Sequence, residues 1–123
     1  MMSSKLQHVL VVDDDPIIRD MVVDILDFEG YTAETARNGR DALGILQGKE
    51  NYLVLLDLMM PVMGGHEFCQ RLNAMPQLRQ RHIIVLMSAM DKLEEAESIR
   101  PDAIMSKPFV VDDVLRIIKP FLE

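Results

Sequence analysis

Cysteine is almost absent from the 123-residue chain, where Cys69 stands alone. No internal disulfide can form, and a single thiol suits a reducing compartment, so the cytoplasm is the default location. Basic residues are scarce beside acidic ones, thirteen against twenty, for a formal charge of -7. That balance argues against a general nucleic-acid or anionic-membrane surface on this chain. No apolar run approaches a membrane span, and the amino terminus lacks the charged-then-apolar layout of a signal peptide. Repeats, low-complexity tracts and linkers are missing too. The histidines His8, His66 and His82 have no metal-ligand spacing and read as structural or surface residues.

What is present is a 49% hydrophobic composition in a chain of 14.0 kDa. That is enough for one domain, 1–123, to build a core without metal or disulfide staples. The most informative stretch is Tyr52-Leu53-Val54-Leu55-Leu56-Asp57, five apolar or aromatic residues delivering one carboxylate. Too short for a helix and bounded by Asn51 and Pro61, it reads as a strand buried on both faces of a parallel sheet.

Strand-like and helix-like segments alternate along the rest of the chain. Leu6 to Val12 is an apolar strand running into Asp13-Asp14-Asp15-Pro16, where Asp15 caps a helix and proline occupies its first turn. Ile18, Met21, Val22, Ile25 and Leu26 recur at helical spacing before a stop at Gly30. Tyr31 to Ala36, more polar, suits a sheet edge; Asn38-Gly39 reads as a turn, and Ala42, Leu43 and Leu46 line a second helix ending near Gly48. A third helix carries Phe68, Cys69 and Leu72 inward, after a loop freed by Gly64 and Gly65. His82 to Met87 is a fourth strand ending at Ser88-Ala89. A short acidic helix over 91–99 offers only Leu93, Ala96 and Ile99 to a core. A brief strand, Ala103 to Met105, leads to Ser106-Lys107-Pro108-Phe109, and Val111, Val114, Leu115, Ile118 and Leu122 mark a last helix that Pro120 halts or bends. Met21, Met87 and Met105 fall at core positions, while Met60, Met63 and Met90 flank the strand ends.

Five such units predict a doubly wound α/β domain with a five-stranded parallel sheet, since right-handed crossovers place helices on both faces. Sites in such sheets lie beyond the carboxyl ends of the strands. Asp13, Asp14, Asp57, Ser88 and Lys107 all belong to that edge. Clustered carboxylates repel unless a cation sits among them, and a hard divalent ion such as magnesium suits all-oxygen ligands and phosphate oxygens. Lys107 offers a mobile point charge and Ser88 a hydroxyl donor. A carboxylate so placed is equipped to attack phosphorus.

The set Val11-Val12-Asp13-Asp14-Asp15-Pro16, Leu56-Asp57-Leu58-Met59-Met60-Pro61 with Gly64-Gly65, Leu86-Met87-Ser88-Ala89 and Ser106-Lys107-Pro108-Phe109 resembles the receiver domain of bacterial response regulators in two-component signalling, the CheY-like superfamily. The resemblance covers nearly the whole chain, with four motifs in register. It implies a three-layer, flavodoxin-like fold with strand order 2-1-3-4-5. It further implies Asp57 as phosphoacceptor, Asp14 as a direct metal ligand, Asp13 acting through water, and the Met59 backbone carbonyl as a further ligand. Ser88 is the switch hydroxyl and Lys107 the phosphoryl counter-ion. The ion is magnesium, with manganese an alternative. The donor is a phosphohistidine on a sensor histidine kinase or a histidine phosphotransfer protein, and a phosphorylation-dependent dimer is compatible with the reading. The domain would be a switch rather than an enzyme, catalysing only its own phosphorylation and dephosphorylation.

The chain departs from the family pattern at three places. Ile104 stands three residues before Lys107, where a tyrosine or phenylalanine is common, so signalling by an aromatic flip is not implied. The segment between Ser88 and Lys107 is shorter by roughly one helical turn, which predicts a stunted fourth helix. Met59 and Met90 occupy positions where polar side chains often place the hydrolytic water, which predicts slow dephosphorylation. Two rival readings draw on the same residues. An aspartate-nucleophile phosphohydrolase would use the spacing of Asp13 and Asp15, but Pro16 follows immediately and the chain is short for a substrate-capping domain. A receiver module cut from a larger regulator or hybrid kinase fits the same residues.

Overall fold

The computed structural model describes residues 6–122, together with all side chains in that range except that of Met90. Five parallel strands, β1 His8–Val12, β2 Thr32–Ala36, β3 Tyr52–Asp57, β4 Ile83–Ala89 and β5 Ala103–Lys107, form one sheet in the order β2-β1-β3-β4-β5. The flavodoxin-like expectation is met, strand order included. Register runs straight across the sheet: Val12 pairs with Leu56, Asp57 with Met87 and Ala89 with Lys107. Strand ends that are distant in sequence therefore finish side by side.

Helices cover both faces because successive strand residues point to opposite sides. Val9, Val11, Leu53, Leu55, Val85 and Met87 pack under α1 Pro16–Phe28 and α6 Val111–Ile118, through Val22, Leu26, Val114 and Ile118. Leu10, Val12, Val54, Leu56, Ile84 and Leu86 pack under α2 Gly39–Leu46 and α3 Gly65–Asn73, through Ala42, Leu46, Phe68 and Leu72. Each fully buried aliphatic side chain is worth about 1.5–3 kcal/mol, so the all-buried β3 is the thermodynamic centre of the sheet. That burial is what fixes the position of Asp57.

Several boundaries differ from the sequence reading. Asp15 does cap α1, accepting the Ile17 N–H at 2.9 Å. Asn38 is a helix cap too rather than a plain turn residue, accepting the Asp41 N–H at 2.9 Å. Gly30 ends α1 at φ 86°, a backbone conformation that costs glycine little. Met21, expected in the core, is exposed on α1, and Val111 is exposed at the start of α6. An extra turn, α4 Pro76–Arg79, precedes β4. The acidic segment forms a single 3-10 turn, Met90–Lys92, followed by α5 Leu93–Ser98, which is indeed short and buries only Ala96. Leu122 is buried but lies beyond α6, past a 3-10 turn Lys119–Phe121 that contains Pro120. Expectations for residues 1–5 and 123, and for the Met90 side chain, fall outside what is described.

Candidate functional site

The carboxyl edge gathers five polar groups from the ends of four strands. Asp13 and Asp14 follow β1, Asp57 ends β3, Ser88 lies at the end of β4, and Lys107 ends β5. Asp13 and Asp57 are buried, whereas Asp14 is exposed. One carboxylate oxygen from each of these three lies within 4.8 Å of the others, close enough to share one ion. Lys107 Nζ stands 3.2 Å from Asp57 Oδ1 and 3.5 Å from Asp13 Oδ2. The separate strand ends thus converge on a single pocket.

Local hydrogen bonds hold these groups in place. Asp13 Oδ1 accepts the Asp15 N–H at 3.0 Å, while Arg19 Nη1 donates to the Asp13 carbonyl at 2.8 Å. The Met59 N–H approaches Asp57 Oδ1 at 3.4 Å. Ser88 Oγ is buried and donates to the Ala89 carbonyl at 3.1 Å, a bond it can exchange by rotating about χ1. Gly65 brings α3 against the end of β3: a Cβ there would stand 2.8 Å from Leu58 Cα and 3.0 Å from the Asp57 carbonyl oxygen. Only a glycine allows that approach.

The electrostatics follow from crowding. Burial, and then the neighbouring Asp13, push the Asp57 carboxyl up to about 6, against the pull of Lys107. Burial alone would lower the Lys107 ammonium, but Asp57 and Asp13 outweigh it and hold its pKa above the usual value. Three carboxylates against one ammonium leave an excess of two negative charges. A divalent cation with oxygen ligands matches that excess, and the residues present fit one.

Beside the carboxylates opens a cavity of about 260 Å³, lined by Asp57, Met59, Met87, Ser88, Lys92 and Lys107 among others. A larger hollow of about 620 Å³ lies at the amino end of the sheet, lined by Asn51, Gln77, Arg81, His82 and Phe121 among others. Size does not make it the site, because the convergent acidic and basic groups are all at the other end. Lys92 and Arg19 went unremarked in the sequence reading. Nothing in the pattern singles out either, since each acquires its neighbours only through the loops that follow β4 and β1.

Fold and edge together define a doubly wound α/β domain with an acidic, lysine-bearing pocket at the carboxyl ends of its strands. The response regulator receiver domain family matches residues 9–119, and the chain belongs to that family. It is 32% identical over 118 residues to response regulator MprA of Mycolicibacterium vanbaalenii, covering 94% of this chain and 50% of that protein. The chain thus spans about half the length of that relative. It is also 30% identical over 116 residues to sporulation initiation phosphotransferase F of Bacillus subtilis, covering 94% of each. Among solved structures, response regulator protein TrrA from Thermotoga maritima in complex with Mg(2+)-BeF aligns with a TM-score of 0.82 at 30% identity, covering 95% of this chain and 100% of that one.

Proposed function

We propose that this receiver domain is a magnesium-dependent phosphorylation switch whose phosphoacceptor is Asp57. The observation that carries the reading is the placement of a buried Asp57 carboxylate 3.2 Å from Lys107 Nζ, inside a three-carboxylate cluster. A carboxylate oxygen of Asp57 attacks phosphorus while the P–N bond of the partner's phosphohistidine breaks; the bonding pair stays on the imidazole nitrogen, which takes up a proton. Asp14, Asp57 and the Met59 carbonyl would hold the ion directly, and Asp13 through water. When bound, magnesium or manganese neutralises charge on the phosphoryl oxygens. Lys107 meets one phosphoryl oxygen, and Ser88 turns from the Ala89 carbonyl to donate to another. Their loops then shift an existing equilibrium at the output face.

A sensor histidine kinase or histidine phosphotransfer protein is the donor. Beside Lys107 lies an apolar groove of about 450 Å³ lined by Ile18, Met21, Pro108 and Phe109, with Ile17 and Val110 exposed nearby. A donor that brings its imidazole to Asp57 covers that rim, which accounts for apolar side chains left in water. The domain acts as a regulatory module rather than an enzyme on external substrates, in the cytoplasm and without contacting nucleic acid. No described helix is long and apolar enough to cross a membrane.

Two measurements test this. Asp57→Asn abolishes acid-labile phosphate incorporation from acetyl phosphate; normal labelling of the variant refutes the assignment. The acyl phosphate is long-lived, because the exposed Met59 side chain at the rim offers no polar atom to hold an attacking water. A purified phosphoprotein that decays within seconds would overturn that second expectation.

A further inference from the structure

We propose that Lys92 is a second phosphoryl-binding cation of this site, engaging the phosphoryl group only once Asp57 carries it. The inference rests on the phosphoacceptor reading and adds a residue to it. Lys92 closes the 3-10 turn Met90–Lys92, immediately after β4. It lines the same cavity of about 260 Å³ as Asp57, Met59, Ser88 and Lys107.

Charge decides what a second lysine does there. A divalent ion balances Asp13, Asp14, Asp57 and Lys107. Phosphorylation converts the Asp57 monoanion into an acyl phosphate that is a dianion near neutrality, which adds one negative charge to a largely buried pocket. Lys107 is already shared between Asp57 and Asp13. Among the residues lining the cavity, Lys92 is the other cation. It is half-buried and forms no ion pair with any described residue, although Asp91, Glu94 and Glu95 flank it in sequence. An ammonium with no carboxylate partner, on a flexible four-carbon stem, has an interaction to gain when a dianion forms in the cavity it lines.

The consequence concerns signal output. Lys92 leads directly into α5, so its attraction to the phosphoryl group pulls on the 90–98 segment from within the pocket. With the half-buried Ile104 in place of an aromatic side chain on β5, that pull supplies a link between the phosphoryl group and the face formed by α5 and β5.

Beryllofluoride, a stand-in for the phosphoryl group, tests this in the intact chain with magnesium present. Lys92→Ala is expected to weaken beryllofluoride binding by about tenfold while leaving magnesium affinity in its absence within about twofold, which a merely structural lysine would not do. Lys92→Arg, which keeps the charge, restores most of the loss. Wild-type beryllofluoride affinity in Lys92→Ala overturns the proposal, as does an equal loss of magnesium affinity. Acetyl phosphate labelling of the unmodified protein separates the two readings. If it labels and Lys92→Ala binds normally, only the role of Lys92 falls; if it does not label, the phosphoacceptor reading falls and this one with it.

Discussion

Tyr52 donates its backbone N–H to Nδ1 of His82 at 3.0 Å, which places the remaining ring proton on Nε2 of a side chain only 2% exposed. Burial, with Arg81 and Arg79 nearby, lowers the His82 pKa to about 4, although the Leu46 carbonyl works the other way. The unfolded chain therefore binds a proton that the folded chain refuses between about pH 6.5 and 4. Stability from this group is complete above pH 6.5 and is lost as the pH falls toward 4, by on the order of 3 kcal/mol. Urea unfolding at pH 7.5 and pH 4.5 checks this: His82→Gln should lose less stability than wild type over that interval. An equal loss would mean that other groups carry the acid sensitivity. That His82 is structural follows from the absence of ligand partners in the sequence. Its tautomer depends on a neighbour thirty positions away and is invisible in the linear pattern.

At the scale of elements, periodicity identified all five strands and the principal helices, because burial on one face or two leaves a clear apolar rhythm. It failed where a helix protrudes: Met21 and Val111 keep the spacing of core residues but face water, Met21 lining the groove beside Lys107 and Val111 a separate hollow with Ile25 and Phe28. The glycines show the same contrast. Gly44 stands inside α2 with nothing within 4 Å of an added Cβ, so Gly44→Ala should stabilise the protein by about 0.5–1 kcal/mol through helix propensity. Gly65→Ala should instead cost about 1–3 kcal/mol, because its Cβ meets backbone rather than a yielding side chain. It should also slow phosphorylation by displacing the end of β3. Thermal melts of the two variants check the opposite signs, and acetyl phosphate labelling checks the second effect.

For the whole molecule, the acidic edge stores repulsion that a cation relieves. Added magnesium should raise the unfolding free energy, by about 2.7 kcal/mol at a hundredfold excess over its dissociation constant. Asp14→Ala should be at least as stable as wild type without magnesium, having one fewer crowded carboxylate, yet gain little when it is added. A variant that still responds fully would remove Asp14 from the metal site.

The sequence by itself determined the alternation of strands and helices, the class of fold, and the placement of Asp13, Asp14, Asp57, Ser88 and Lys107 at one edge of the sheet, because apolar rhythm and strand ends are local properties of the chain. Only the tertiary structure decided which of these groups are buried, that Lys107 bridges two carboxylates, and that Lys92 reaches their cavity. Those facts depend on strand register and on loops closing over an edge, which no local pattern encodes.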